Sequence, residues 1–344
     1  MLRSMYSGIS GMKGFQTSLD TIGNNIANVN TTGYKKGRVS FQDMMSQTVS
    51  SAQGAIEGDD GNLRGGINPS QVGLGSQIGT IDNIHTQGNR QTTDRPLDLS
   101  LEGDGMFMLA EGTADTGIDT NEKAFDNIDE LNTTFTRAGN FYLDNDGAIV
   151  NADGKYLVGE SYGYNQNDNG DYLEENGNDV IQDDDNTNVT NEEDAMRITN
   201  PYSLQEPGVI TIPESAQSFS IQTDGTVQFV NAQGNPQTAG QVRLANFSNP
   251  GGLEKLGSNT FQNTDNGGMM IDDAAGAGAL EALGLFTAGE SGTGQMVSGA
   301  LEMSNVDLAE SFTSMITAQR GFQANTRIIT TSDEILQELV NLKR

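Results

Sequence analysis

The chain contains no cysteine, no tryptophan and only one histidine among its 344 residues. Without cysteine it cannot form zinc ribbons, thiol-based active sites or disulfide frameworks. Because His85 is alone, a metal site with several histidine ligands is excluded, and a Ser-His-Asp triad could be built only around that residue. The sequence also lacks an apolar run long enough to span a bilayer, and it lacks the N-terminal apolar segment of a cleaved secretory signal.

Basic residues are scarce: 18 Lys and Arg stand against 47 Asp and Glu, which gives a formal net charge of -29. Nucleic acids and anionic membrane surfaces attract cationic proteins, so we expect neither as a partner. Hydrophobic residues make up only 34% of the chain, whereas glycine occurs 43 times. Such a composition favours small sheets with many turns over one large packed centre.

The negative charge is concentrated in the middle of the chain, where residues 111–200 contain 22 acidic and 4 basic residues. Residues 161–196 are predicted to form an acidic insertion or a small outer domain. Within them, residues 165–171 resemble a calcium loop, but asparagine stands where the first ligand should be aspartate. We interpret this tract as a solvated acidic loop, with weak calcium binding as the alternative, and predict no metal or cofactor site.

Apolar residues recur every seven positions at both ends of the chain, and each end is therefore predicted to form a long helix with an apolar stripe. The helices are expected over about residues 5–29 and 305–342, the second with Ser304 or Asn305 as its N-cap. The simplest way to cover both stripes is for the two ends to pair as a coiled-coil layer and to meet further copies of the chain. The residues assigned to this self-assembly are Met12, Phe15, Leu19, Ile22, Ile26, Val29, Leu308, Met315, Phe322, Ile329 and Leu336.

Between the ends, apolar and polar residues alternate and Asp-Gly pairs separate the alternating runs, which is typical of antiparallel hairpins. Examples are residues 219–230, 141–150 and 153–158, and residues 241–247 are predicted to be a further strand. The fold class is therefore predicted to be α+β, with terminal helices around a strand-rich middle.

Residues 19–36 closely resemble the N-terminal signature of the bacterial flagellar rod and hook protein family. Residues 304–310 and 315–322 resemble the matching C-terminal segment, and the middle is similar to the family at residues 95–99, 102–107 and 136–141. The motif residues are Asn24, Asn25, Asn28, Gly33, Asn305, Gln319, Arg320 and Asn325.

The resemblance implies a structural protein that passes unfolded through the flagellar export apparatus and polymerises beyond the cell membrane into a helical tube. The opening residues 7–12 look more like hook proteins, so the flexible hook is the preferred interpretation, and the stiff distal rod is the alternative. Implied partners are copies of the chain itself, adjoining rod and hook–filament junction proteins, and the export apparatus. The implied location is the hook–basal body outside the membrane, reached without a cleaved signal.

An interpretation from another class is a secreted carbohydrate-active enzyme, in which Asp98 and Glu102 would be paired carboxylates. Acidic residues are so frequent that this pairing has little weight, and no catalytic residue is assigned. The predicted domains are a helical domain of 1–33 plus 305–344, a linking segment of 34–75, and a β-rich body of 76–160 plus 197–304 around the acidic insertion of 161–196.

Overall fold

The computed structural model describes residues 2–58, 61–112, 131–163, 202–271 and 280–342. Residues 165–171, and all but the first three residues of the predicted acidic insertion, lie outside these ranges. The chain separates into two compact units. Unit 1 comprises residues 1–29, 35–84 and 306–344, and unit 2 comprises residues 30–34 and 85–305.

Two long helices lie in unit 1, at the ends of the chain where the heptad pattern predicts them. Helix α1 spans Leu2–Ala27 and helix α2 spans Leu308–Leu342. The predicted N-cap of α2 is wrong: Asp307 caps it, because its Oδ1 accepts hydrogen bonds from the amides of Ala309 (2.8 Å) and Glu310 (3.2 Å). Among the described residues, neither helix is long and apolar enough to cross a membrane.

The rest of unit 1 is a ribbon in which an outgoing stretch of chain pairs antiparallel with a returning one. The pairs are β1 with β6, β2 with β5 and β3 with β4. The ribbon continues beyond the predicted linking segment of 34–75, because Ser76–Asn83 pairs with Gly37–Asp43. Its strands are β1 (Gly37–Asp43), β2 (Ser46–Ser50), β3 (Ile56–Gly58), β4 (Gly61–Arg64), β5 (Ser70–Gly73) and β6 (Ser76–Asn83).

Unit 2 contains the other strands of the described residues, as the prediction of a strand-rich middle requires. They are β7 (Arg90–Thr92), β8 (Leu99–Glu102), β9 (Met106–Glu111), β10 (Asn132–Thr136), β11 (Tyr142–Leu143), β12 (Ile149–Val150), β13 (Tyr156–Gly163), β14 (Tyr202–Val209), β15 (Ser218–Ile221), β16 (Thr226–Val230), β17 (Pro236–Ala245), β18 (Glu254–Gly257), β19 (Thr260–Gln262), β20 (Leu285–Thr287), β21 (Gln295–Ser298) and β22 (Ala300–Glu302). Short 3₁₀ helices lie at Pro250–Gly252 and Leu280–Leu283. The predicted α+β class is therefore confirmed.

Twelve of these strands form one antiparallel sheet, whose main path runs β11-β12-β13-β17-β9-β10-β19-β18. Alternate residues of β9 enter two different core clusters: Phe107 and Leu109 join one, while Met106 and Met108 join the other. Side chains alternate across a strand, so the sheet buries both of its faces. Two pairs outside this sheet, β8 with β21 and β7 with β22, bring the end of unit 2 back to its beginning.

The hairpins predicted from Asp-Gly pairs are confirmed. Strands β15 and β16 pair with Ile221 opposite Val227, and Gly225 in their turn has a φ of +89°. The Asp-Gly turn between β12 and β13 places Gly154 at a φ of +81°. Both glycines occupy the left-handed region that other residues adopt only with strain.

These two glycines give a matched pair of substitutions. We expect Gly154→Ala to lower the free energy of unfolding by about 1–2 kcal/mol, because its added methyl meets open space and only backbone strain remains. Gly225→Ala should cost more, since its Cβ would lie 2.5 Å from the carbonyl oxygen of Val242. Urea unfolding followed by circular dichroism measures both, and equal losses would contradict the packing of this turn.

Candidate self-assembly surface

The helices α1 and α2 run antiparallel and touch through small residues. A Cβ atom added at Gly321 would lie 2.5 Å from Cζ of Phe15, and one added at Gly11 would lie 2.6 Å from Nδ2 of Asn325. A Cβ at Gly8 would lie 3.4 Å from Cγ1 of Ile329. The glycines therefore bring the two backbones close together, and the large side chains of one helix fill the space above the glycines of the other.

The structure divides the residues that the sequence assigns to self-assembly into two groups. Those of the N-terminal rows are half-buried, and so are Met315, Ile329 and Leu336 of α2. Leu308 and Phe322 are 42% and 36% exposed, so each keeps more than a third of its surface open among the described residues. The coiled-coil layer and the role of all these residues in contacts between copies stay predictions.

Sequence reasoning missed the row of α2 that is most deeply covered. Ala318 and Ser332 are only 4% and 7% exposed, and Asn325 between them is half-buried. These positions interrupt the apolar stripe and look like weaknesses in the sequence. A signal was available in glycines 8, 11 and 321, because glycine within a helix often marks a close approach.

A second apolar surface on α2 is left exposed, and we call it the outer apolar face. Its N-terminal part contains Phe312 and Ile316, which are 50% and 58% exposed and lie one turn apart. Exposed leucine, isoleucine and valine continue along the helix. Monomeric soluble proteins rarely expose so much contiguous apolar surface. The residues of the face are Leu308, Phe312, Ile316, Ile328, Ile335, Leu339, Val340 and Leu342. They wind around the helix from its N-terminal to its C-terminal part and do not form one straight stripe, because the backbone turns by about 100° per residue.

The C-terminal part of this face extends beyond α1. Phe15 lies opposite Gly321 and Gly8 opposite Ile329, so Leu2 at the start of α1 is level with about residue 335. The last two turns of α2 therefore extend past the start of α1. Val340 and Leu342 on those turns are 66% and 82% exposed.

The asparagines of the N-terminal motif hold the backbone that follows α1. Asn25 is 6% exposed, and its side chain donates to the carbonyl of Gly37 (2.8 Å) and accepts from the amide of Gly37 (2.9 Å). Asn28 donates to Oδ1 of Asn24 at 2.6 Å. Since one side chain pairs with both backbone groups of Gly37, Asn25 positions the start of the ribbon, and this supports a structural role.

The other motif residues are spread over both units. Gln319 and Arg320 are exposed on α2, and Asn325 packs against α1. Gly33 and Asn305 lie in unit 2, where the amide of Gly33 donates to the carbonyl of Glu302 and Nδ2 of Asn305 donates to that of Thr86. The motif is therefore not one continuous site, and its members act at separate places in the fold.

The carboxylates of the enzyme interpretation are engaged in ion pairs. Asp98 pairs with Arg95 at 3.2 Å, and Glu102 pairs with Arg90. The single histidine, His85, packs its ring 5.3 Å from that of Phe261. No group of three or more potential metal ligands occurs within the described residues.

Three protein-family models match the chain. They are "Flagella basal body rod protein" at residues 5–35, "Flagellar hook protein FlgE/F/G D1 domain" at residues 126–229 and "Flagellar basal body rod FlgEFG protein C-terminal" at residues 297–342. The first contains the motif of α1, and the last contains α2 with the outer apolar face.

Full-length relatives decide the family. The flagellar basal-body rod protein FlgG of Bacillus subtilis is 46% identical over 344 positions that cover all of both chains. The chain belongs to the flagellar rod and hook protein family. The flagellar hook protein FlgE of Borreliella burgdorferi is 30% identical, again over all of both chains, and FlgG of Caulobacter vibrioides is 33% identical over 99% of this chain and all of its own. These named relatives of the family are structural proteins of the flagellum and not enzymes.

Alignment length separates the rod relatives from the hook relatives. The alignment with the Bacillus FlgG spans 344 positions, the length of this chain, whereas that with the Borreliella hook protein spans 478. The sequence interpretation that preferred the hook is thus less well supported than its alternative. The structure of the Helicobacter pylori hook protein FlgE2 aligns with a TM-score of 0.19 at 14% identity over 69% of this chain and 47% of its own, which is too low to compare the folds.

The close contact between α1 and α2 predicts opposite outcomes for two helical glycines. Gly23→Ala should raise stability by about 0.5–1 kcal/mol, because nothing lies within 4 Å of its added Cβ and alanine favours the helix. Gly321→Ala should lower stability by about 1–3 kcal/mol despite the same propensity gain, since Phe15 must move. Thermal melting at 222 nm compares them, and stabilisation by both substitutions would refute the close helix contact.

Proposed function

We propose that this chain is a subunit of the distal rod of the flagellar basal body and that it polymerises with its own copies into a helical tube. The observation that carries the proposal is the 46% identity to a rod protein across all of both chains, in an alignment of 344 positions against 478 for the hook protein of Borreliella burgdorferi. The hook is the second candidate, and the hook protein relatives at 30% identity over the whole chain favour it.

The outer apolar face supports polymerisation. Burying apolar side chains contributes about 25 cal/mol per Å² removed from water, so an exposed row of isoleucine, leucine and phenylalanine favours association. A helical polymer forms from contacts between different surfaces of identical subunits that do not close into a ring. The end of α2 that extends past α1 is such a surface, since its apolar side chains are exposed among the described residues. Copies of α1 and α2 from neighbouring subunits would cover it.

The distribution of charge supports the same assignment of contacts. Unit 1 carries 10 basic and 11 acidic residues, whereas unit 2 carries 8 basic and 36 acidic residues. Copies of unit 1 can therefore approach one another with little mutual repulsion, while copies of unit 2 repel strongly at low salt. We therefore assign the contacts that hold the polymer together to unit 1.

The neighbouring proteins, the export route and the layer formed by the helices are inferred from the proposed place of the chain in the flagellar axis. We infer that the adjoining partners are other rod proteins and proteins towards the hook, and that the chain reaches its position through the flagellar export apparatus. The terminal helices are proposed to form a coiled-coil layer of the tube.

The outer apolar face gives a direct test of polymerisation. Ile316→Asp should abolish polymerisation, since a charge in an apolar contact costs several kcal/mol, while the monomer should change by less than about 0.5 kcal/mol because the residue is exposed. Thr317→Asp is the matched control, because Thr317 is the next residue and is also exposed. Sedimentation and electron microscopy measure assembly. Normal tubes from Ile316→Asp, or equal loss from both variants, would refute this face as the contact.

Cells that lack the gene separate the rod from the hook. A distal rod subunit predicts basal bodies that end in a truncated rod, because the rod must be complete before anything is added to it. A hook subunit predicts a complete rod without a hook. Electron micrographs of isolated basal bodies distinguish the two, with cells that carry the restored gene as the control.

A further inference from the structure

The chain passes between its two units at four places, after residues 29, 34, 84 and 305. Unit 2 is therefore connected to unit 1 through three of its own segments. These are residues 30–34, the stretch that begins at His85, and the stretch that ends at Asn305. All force that the covalent chain carries into unit 2 enters through these three segments. Their attachment inside unit 2 therefore determines how such force is distributed.

A buried ion pair lies where the three segments meet within unit 2. The side chains of Arg137 and Glu302 are 4% and 2% exposed, and Nη1 of Arg137 lies 3.7 Å from Oε2 of Glu302. Arg137 also donates from Nη2 to the carbonyl of Gly103 at 2.7 Å, which ties it to the turn before β9. Burial lowers the pKa of the Arg137 guanidinium, whereas the carboxylates of Glu302 and Asp104 raise it.

Glu302 holds both of the other segments. Its Oε1 accepts a hydrogen bond from the amide of Gly88 at 2.9 Å, and its backbone carbonyl accepts one from the amide of Gly33 at 2.8 Å. Because Glu302 itself lies in the segment that ends at Asn305, one residue connects all three. We call Gly33, Gly88, Arg137 and Glu302 the crossing cluster.

Close packing around the crossing cluster fixes the segments further. Gly33 has a φ of +68°, and an added Cβ would lie 2.6 Å from the amide nitrogen of Ala138, which follows Arg137. An added Cβ at Gly88 would clash with the carbonyl oxygen of Met303. Asn305 donates from Nδ2 to the carbonyl of Thr86 at 3.1 Å. Two members of the family motif, Gly33 and Asn305, thus serve the attachment of the same three segments.

A buried ion pair is a poor way to gain stability, because desolvation offsets most of the attraction between the charges. What this pair can fix is geometry: Nη2 of Arg137 bonds Gly103 and Oε1 of Glu302 bonds Gly88, while the opposite charges keep the two side chains beside each other. We propose that Arg137 and Glu302 are positioning residues that lock the three crossing segments into one cooperative unit. If the chain is an axial subunit as proposed above, load that enters unit 2 is shared by all three segments rather than borne by one.

Hydrogen exchange on the full-length monomer tests this proposal without requiring polymerisation. Glu302→Gln removes one charge but keeps an acceptor for Gly88. We expect amides in residues 30–34, 85–92 and 300–305 to exchange about tenfold faster or more, together, while the hairpin of β15 and β16 is unchanged. Faster exchange in only one segment, or equally throughout unit 2, would overturn the proposal.

A second buried ion pair in unit 2 provides the matched control. Glu160 on β13 pairs with Arg243 on β17, and their side chains are 7% and 10% exposed. Glu160→Gln should speed exchange in those strands and leave the three crossing segments unchanged. The double variant Arg137→Met with Glu302→Leu removes both charges at similar volume. If it protects all three segments as well as the native pair does, the ion pair has no positioning role.

Assembly of the same variants keeps the two proposals apart. Since Arg137 and Glu302 lie in unit 2, Glu302→Gln is expected to polymerise. Faster exchange in the crossing segments with normal tubes supports both the locking role and the assignment of contacts to unit 1. Unchanged exchange overturns the locking role whatever the tubes do.

Discussion

Unit 1 depends on the contact between α1 and α2, which stand at opposite ends of the chain. Neither helix has a partner close in sequence, and each would be marginal alone in water because isolated helices gain little from propensity. Glycines on both helices allow the backbones to approach, and half-buried Phe15 and Ile329 fill the remaining space. The pairing brings most of the two terminal segments that the family models match into one unit. Asn25 of α1 in turn holds Gly37, where the ribbon begins.

The same contact explains why large apolar residues remain outside. Small residues such as Ala318 and Ser332 occupy the face of α2 that α1 covers, so side chains as large as Phe312 and Ile316 are directed elsewhere. Helix α2 has 35 residues and α1 has 26, so the end of α2 cannot be covered by α1 at all. A chain with this much exposed apolar surface is suited to a polymer, because neighbouring copies can cover the side chains that one subunit leaves in water.

Local patterns predicted much of this fold. The heptad spacing gave both helices, and the Asp-Gly pairs gave the hairpin of β15 and β16 because that turn demands glycine at a positive φ. The pattern could not give the partner of each heptad row, since spacing alone does not tell which side of α2 meets α1. It misplaced the N-cap because Asn305 is used in unit 2, where its side chain bonds Thr86. The crossing cluster joins residues more than 200 positions apart, such as Gly88 and Glu302, and no local pattern predicts such a bond.

The absence of cysteine allows the central claim, that the outer apolar face of α2 is covered by other copies, to be measured by single-site labelling. Cysteines introduced singly at positions 316 and 335 should react readily with a thiol reagent in the monomer, where Ile316 and Ile335 are 58% and 49% exposed. In assembled tubes, the account predicts strong protection at both positions, with a cysteine at the exposed tip residue 233 of the β16–β17 hairpin as the reactive control. Equal reactivity of positions 316 and 335 in monomer and tube would contradict it.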